Sequence, residues 1–288
     1  MLFKYFLTLA VSTTLVTGSV IPNLARQASD NDTDDGLDLP SPDLDAIFAT
    51  PDSDEGHYET GGLIRQPLSN TTLAVRAVEA RAAWTCTQKG HSKHTKGDKV
   101  KGHGIKLTNG DKVARSYYFY HNSCDSVPWK YISIPAGKTR YVQVPALWEG
   151  RITRGTNKLN LAGVARPLGT WFEFSLDANG VIWGDVSLIR GTDGAVAMWS
   201  TDSLPRRRTG FRQWVLDGAP KKAYSRKADG KKVIGPTEGK DAVIRPVPRN
   251  WVLKKVGAKH AFVDDSHAKP VINSNNGRFG VWFGRGRV

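Results

Sequence analysis

The chain has 288 residues, of which 41 are Lys or Arg and 27 are Asp or Glu, so its formal net charge is +14. Only two cysteines are present, which excludes a small domain held together by many disulfides. The sequence has no Gly-x-Ser-x-Gly elbow, phosphate-binding loop or His-Glu-x-x-His pair, so it gives no sign of the hydrolases, nucleotide enzymes and zinc proteases that these motifs mark.

Residues 1–18 are predicted to be a signal peptide. Lys4 precedes an apolar run that is interrupted by Ser12, Thr13 and Thr14, and cleavage is expected after Gly18, where small residues follow the run. A membrane anchor needs roughly 20 unbroken apolar residues, and this run is shorter. We therefore expect no transmembrane segment and a protein secreted to the cell exterior or cell wall.

Residues 19–82 are predicted to be a disordered, acidic, pro-like segment. The stretch from Gln27 to Thr60 contains eleven carboxylates and neither Lys nor Arg, so it repels itself and has little to bury. Two glycosylation sequons, at Asn31 and Asn70, suit an exposed part of a secreted chain. Cleavage after Arg81 would release the segment; the alternative is an acidic linker that is never removed.

The region after residue 82 is strongly basic. It holds 36 of the Lys and Arg residues and 15 of the Asp and Glu residues, an excess of 21 positive charges. Such an excess attracts polyanions non-specifically. Because no nucleic-acid-binding module is recognisable, acidic wall polymers, glycosaminoglycans or anionic lipids are expected as partners rather than a specific nucleic acid.

Residues 83–205 are predicted to form a β-sandwich. Short alternating runs are separated by turns such as Thr108-Asn-Gly-Asp111 and Asp177-Ala-Asn-Gly180, whose residues tolerate positive φ. Many short strands at this spacing indicate an all-β sandwich or barrel. The predicted strands are Gly104–Leu107, Val113–His121, Lys130–Ile134, Thr139–Pro145, Gly150–Arg154, Gly169–Leu176, Val181–Leu188 and Ala195–Met198.

The cysteines and histidines give little sign of chemistry. In an oxidising compartment Cys86 and Cys124 are expected to form one disulfide, although a catalytic cysteine is the alternative. His91, His94 and His103 lie in a lysine-rich loop that opposes a cation, so a solvated loop is favoured over a metal site. No metal and no cofactor are expected, and the protein is expected to be a monomer.

Residues 206–288 are predicted to be a basic, irregular C-terminal region that completes the sandwich. Strands are expected at Trp251–Lys255, His260–Val263 and Phe279–Phe283. The triplet Arg206–Arg208 has three interpretations: a solvated loop, which we favour, an anion-binding patch, or a second processing site.

The middle of the chain resembles the thaumatin and osmotin superfamily, and in particular its cysteine-poor, fungal, secreted members. The most specific part is a Glu-Phe-Ser-Leu strand followed, after a turn, by an Asp-Val-Ser strand and a glycine. The segments that carry the resemblance are Asn122-Ser-Cys124, Ile132-Ser-Ile-Pro-Ala-Gly137, Tyr141-Val-Gln-Val144, Gly150-Arg-Ile-Thr-Arg154, Ala165-Arg-Pro167, Thr170-Trp-Phe-Glu-Phe-Ser-Leu176 and Trp183-Gly-Asp-Val-Ser-Leu-Ile-Arg-Gly191.

The resemblance implies a thaumatin-like β-sandwich with an acidic, β-glucan-binding cleft. By position, Glu173 matches the cleft glutamate, Asp185 an aspartate and Arg154 the arginine, while Trp171 is a candidate for stacking on a sugar. Arg190 stands where many members have a further aspartate, which weakens the case for a glycosidase. The alternative is that Glu173 and Asp185 only form salt bridges with neighbouring arginines.

Three functions follow as hypotheses. The first is a secreted protein that binds cell-wall or surface polysaccharide, such as β-glucan, without turnover. The second is a weak endo-β-1,3-glucanase that uses Glu173 and Asp185. The third is a basic, membrane-active toxin or effector.

Overall fold

A computed structural model describes residues 37–49, 92–202, 206–239, 241–264 and 270–288. The predicted signal peptide, the sequons at Asn31 and Asn70, the processing residues Gly18 and Arg81, and Cys86 lie outside these residues.

Two packed β-sheets form the body of the described chain, which confirms the all-β prediction. The seven-stranded sheet has the order β1-β4-β3-β6-β7-β8-β13, with β1 Lys93–Thr95, β3 Arg115–His121, β4 Lys130–Ile134, β6 Glu149–Gly155, β7 Trp171–Leu176, β8 Ile182–Ser187 and β13 Ile272–Ser274. The five-stranded sheet has the order β10-β9-β14-β2-β5, with β2 Gly104–Asn109, β5 Thr139–Gln143, β9 Gly194–Ser200, β10 Arg208–Phe211 and β14 Arg278–Gly286.

The remaining elements are short. A separate hairpin joins β11 Tyr224–Arg226 to β12 Lys232–Ile234. The helices are α1 Leu44–Ala49, α2 Asn157–Asn160 and α3 Pro246–Lys255, with a 3₁₀ turn at Lys221–Ala223.

Alternation of side chains sets which face of each strand is buried. On β7, Phe172, Phe174 and Leu176 point into the core between the two sheets, and Glu173 lies on the other face. The ring centroids of Phe172 and Phe279 lie 6.2 Å apart, with the rings edge to face. All eight strands predicted before residue 200 overlap observed strands. Short apolar or alternating runs bounded by turn residues mark each of them.

The last strand of the chain lies inside the five-stranded sheet rather than at its edge. β14 pairs in parallel with β2 and antiparallel with β9. Its residues Phe279, Val281 and Phe283 are fully buried. The strand predicted at Phe279–Phe283 is confirmed, and it holds the two flanking strands together.

The strand predicted at Trp251–Lys255 is wrong, because this segment is the end of helix α3. Pro246 begins the helix, where its fixed φ and missing N–H are tolerated. Pro248, Val252 and Val256 follow at four-residue spacing, and all three are buried. The strand predicted at His260–Val263 is reduced to a single parallel bridge between Phe262 and Ser187.

The prediction that the acidic segment is disordered is wrong for residues 37–49, which pack on the five-stranded sheet. Leu39 forms an antiparallel bridge with Thr139 of β5, and helix α1 buries Ile47. The acidic stretch therefore contains enough apolar residues for one short segment to bind the basic sandwich.

Candidate functional site

A row of polar side chains crosses the outer face of the seven-stranded sheet. The cross-strand partners are Tyr120 with Arg151, Arg151 with Glu173, and Glu173 with Asp185. Side chains directly opposite each other share a face, so all four project away from the core. The two predicted carboxylates are therefore brought together, as the hairpin of β7 and β8 requires.

Glu173 and Asp185 are partly buried and interact as a pair. Burial raises the pKa of Glu173, while the charges of Arg151 and Arg190 and a hydrogen bond from Ser187 oppose that rise. Burial, with the negative charge of Glu173 in second place, raises the pKa of Asp185 well above its ordinary value. Two close carboxyl groups with raised pKa values hold a proton at a pH where isolated ones are ionised.

Asp185 has an open hydrogen-bonding position. Its Oδ1 atom is buried and has no hydrogen-bond partner among the described residues. Buried polar atoms nearly always have a partner, so an exception calls for an explanation such as a ligand or water. The pair thus offers a neutral acid, which can donate, beside a carboxylate, which can accept.

Arg151 is the arginine of this site, and sequence reasoning missed it. Its side chain is 2 % exposed, its Nη1 lies 2.7 Å from Oδ1 of Asp125, and its guanidinium stacks 4.2 Å from the Trp171 ring and 4.8 Å from the Tyr120 ring. The alternation of side chains along β6 could have identified it. Ile152 faces the core, so the adjacent Arg151 must face the other side, together with Glu173.

Arg154, which the family resemblance matches to the cleft arginine, lies on the opposite face and is buried between the sheets. Its Nε is 3.2 Å from Oδ1 of Asp193, and its Nη2 donates to the Ala195 carbonyl at 2.6 Å. Lys227 completes a buried triad, with its Nζ 2.6 Å from Oδ2 of Asp193. Arg154 thus holds strands together and does not reach Glu173 and Asp185.

Trp171 shares the outer face but is covered. It is only 6 % exposed, the guanidinium of Arg151 lies over its ring, and its Nε1 donates to the Pro167 carbonyl at 3.0 Å. Phe172, the next residue on the strand, is fully buried in the core, so neither ring is free to stack on a sugar. The partly buried Trp183, two residues before Asp185 on the same face, is better placed to meet a ligand.

A cavity of about 430 Å³ is lined by Arg166, Arg190 and Arg245, together with Glu238 and Asp241. Two of its arginines connect it to the row. The charge of Arg190 lowers the pKa of Glu173, and Nε of Arg166 lies 2.7 Å from Oδ2 of Asp125, the residue that also binds Arg151. Arg190 is thus a lining residue of the cavity whose charge also acts on Glu173.

The other candidate residues form no further site. Cys124 is buried and no described cysteine is free, while its expected partner Cys86 lies outside the described residues, so the disulfide stays a prediction. His94 lies on β1 with its ring 4.9 Å from that of Tyr131. In the ranges that the structure covers, no three His, Cys, Asp or Glu residues are grouped to hold a metal. No helix among the described residues combines the length and apolar character needed to cross a membrane.

Comparison of the sequence with protein-family models and with curated protein sequences finds no match.

Proposed function

We propose that the chain is a secreted, thaumatin-like protein that binds cell-wall or surface polysaccharide through the outer face of the seven-stranded sheet, without turnover. The observation that carries the proposal is the Glu173–Asp185 pair, with raised pKa values and an unpartnered, buried Oδ1 on Asp185. The neighbouring hydroxyls of a sugar ring each donate and accept. A protonated carboxyl beside a carboxylate matches such a pair of hydroxyls.

The surroundings of the pair favour binding. Arg151 is fixed by Asp125 and by two aromatic rings, so it can hold the Glu173 charge in place without moving. Trp183 presents a partly buried ring two residues from Asp185, and the apolar face of a sugar packs on such rings. A rigid polar pair beside an aromatic ring is a typical way to fix the orientation of a small ligand.

Turnover is the second candidate, and one observation favours it. Glu173 and Asp185 are direct cross-strand partners, and retaining glycosidases likewise use two neighbouring carboxyl groups, about 5–5.5 Å apart. Asp185 would be the acid, because burial and the charge of Glu173 raise its pKa well above the ordinary value, and Glu173 would be the nucleophile, because the charges of Arg151 and Arg190 stabilise its ionised form. We place binding first because Glu173 already accepts a hydrogen bond from Ser187 and the arginines stabilise its charge.

One pair of assays on the full chain separates the two candidates. Binding to insoluble β-1,3-glucan and release of reducing sugar are measured for the parent, for Glu173→Gln and for the exposed control Asp229→Asn. Binding without sugar release in the parent supports the first candidate. Sugar release that disappears in Glu173→Gln and persists in Asp229→Asn would replace it with the second.

A further inference from the structure

The acidic segment 37–49 is bound to the sandwich by backbone pairing. The Leu39 amide donates to the Thr139 carbonyl at 3.0 Å, and Ser41 Oγ donates to the Gly137 carbonyl at 2.6 Å. Thr139 begins β5, the edge strand of the five-stranded sheet. Addition of an extended segment to a sheet edge is a common way to bind a peptide.

Opposite charges meet at both ends of the segment. At one end Asp38 forms ion pairs with Arg140 and with Lys138, whose Nζ lies 3.1 Å from Asp38 Oδ2. At the other end Nη2 of Arg212 lies 2.7 Å from Oδ1 of Asp45. Arg140 lies on β5, while Lys138 and Arg212 lie in the loops next to β5 and β10, so the surface is built by the folded sandwich.

Two arginines hold helix α1 and its aromatic residue. The guanidinium carbons of Arg208 and Arg212 lie 5.3 Å and 5.6 Å from the ring centroid of Phe48, within the range of cation–π contact. Nη1 of Arg208 also donates to the Ile47 carbonyl at 2.6 Å. Ile47 is 7 % exposed and supplies the apolar anchor.

The segment does not fill the surface that it covers. A cavity of about 800 Å³ remains between it and the sheet, lined by Ile47 and Pro42 on one side and by Lys106, Trp199 and Arg206 on the other. The binding surface is therefore larger than its present occupant. Arg206 lines this cavity, and Arg208 and Arg212 contact the segment itself. Arg206 and Arg208, two of the three arginines of the Arg206–Arg208 triplet, therefore contribute to a built surface.

We propose that this face is a groove that binds an acidic peptide, and that residues 37–49 are its intramolecular ligand. Such a peptide pairs with β5 through one extended residue and presents an aromatic side chain from the helical turn that follows. In the uncut chain the segment occupies the groove at a high effective concentration. Cleavage between residues 50 and 81 leaves the segment held only by its own contacts, so a second peptide of the same kind can replace it. The groove and the carboxyl pair lie on different sheets, so this proposal is independent of polysaccharide binding.

The test uses the full chain with a site-specific protease sequence inserted between residues 60 and 70. A fluorescent peptide with the sequence of residues 37–49 is added to the intact chain and to the cut chain after removal of the released segment at high salt, and fluorescence anisotropy reports binding. We expect at least tenfold tighter binding to the cut chain. Equal binding to both forms, or no binding to a cut chain that stays folded by circular dichroism, would overturn the proposal.

Charge-reversal variants test whether the peptide binds through the contact between Arg212 and Asp45. Arg212→Glu in the cut chain should weaken peptide binding about tenfold, and an Asp45→Lys peptide should restore it. Lys221→Glu, an exposed residue with the same change of charge, is the matched control and should bind as the parent does.

A measurement on the uncut chain covers the case in which the cut chain unfolds. Hydrogen exchange of the Leu39 and Phe48 amides should speed up in Arg212→Glu and slow again in Arg212→Glu with Asp45→Lys. Exchange that is the same in all three chains would contradict the proposal.

Discussion

Glu173 and Asp185 lie directly opposite each other on adjacent antiparallel strands, on the outer face of the seven-stranded sheet. Burial raises the pKa of both groups, and the charge of Glu173 adds to the rise for Asp185. A fold gains no stability from such a pair at neutral pH. The pair is therefore better explained by what it binds than by what it stabilises.

Asp185→Asn should stabilise the fold at neutral pH. The folded pair keeps a proton that the unfolded chain releases near pH 4, so the stability of the parent falls as pH rises from about 4 through the raised pKa values. Asparagine removes one of the two titrating groups. We expect a melting temperature roughly 2–4 °C higher than the parent at pH 7, corresponding to about 1 kcal/mol, and little difference near pH 3.

Asp229→Asn, in an exposed turn, is the control for that experiment. Melting curves across pH 3–8 provide the measurement. A difference between Asp185→Asn and the parent that does not depend on pH would show that the pair is not the cause.

Arg190→Ala should shift the pH profile of polysaccharide binding upward. The charge of Arg190 lowers the pKa of Glu173, so its removal lets the pair hold its proton to a higher pH. Binding, which needs that proton, should then decline at a higher pH than in the parent. The readout is bound fraction against pH, with the exposed Arg226→Ala as control; a midpoint that stays in place or falls would refute the electrostatic account.

Asp193→Asn should strongly destabilise the fold. Asp193 is 1 % exposed and bridges the buried cations Arg154 and Lys227. Removing one partner of a buried ionic network leaves uncompensated charge and costs about 3–5 kcal/mol. In a domain of this size that corresponds to a fall in melting temperature of at least about 6 °C.

Asp217→Asn is the comparison for that variant, because its ion pair with Arg287 is exposed and should contribute little. Thermal unfolding of both variants is the measurement. Equal effects of the two substitutions would show that burial of the triad does not matter.

Phe279→Ala should also be severe, because the C-terminal strand is part of the core. Phe279 is fully buried at the centre of the five-stranded sheet and packs against Phe172 of the other sheet. Truncation of a buried phenylalanine costs about 3–5 kcal/mol. Denaturant unfolding compared with the exposed control Val243→Ala checks this, and a loss below about 1 kcal/mol would mean that β14 is dispensable.

The sequence predicts most strands well because short apolar or alternating runs are bounded by turn residues. It misses helix α3 and the packing of residues 37–49. Helix α3 has two prolines and several basic residues, and only the four-residue spacing of Pro248, Val252 and Val256 indicates a helix. The packing of residues 37–49 depends on Arg208 and Arg212, which are more than 150 residues away, so no local pattern predicts it.

For the candidate site, the sequence places the carboxylates but not their arginine. A hairpin of β7 and β8 is enough to put Glu173 opposite Asp185. The choice between Arg151 and Arg154 depends on which face of β6 is buried, and the family resemblance favoured the residue on the wrong face. Arg151, which is on β6, covers the ring of Trp171 on β7. The sequence of β7 alone therefore does not show that Trp171 is buried.

The most direct measurement is a pull-down of the full-length chain and its Asp185→Ala variant with insoluble β-1,3-glucan, chitin and an anionic resin across a salt series. Charge-driven attraction is screened by salt, whereas hydrogen bonding and ring stacking are much less affected. We predict that the parent binds a polysaccharide at high salt and that Asp185→Ala, which removes the donor and acceptor of that carboxyl group, loses this binding while it keeps its fold. Binding to the anionic resin alone, vanishing as salt rises and unchanged in Asp185→Ala, would contradict a polysaccharide site at the carboxyl pair.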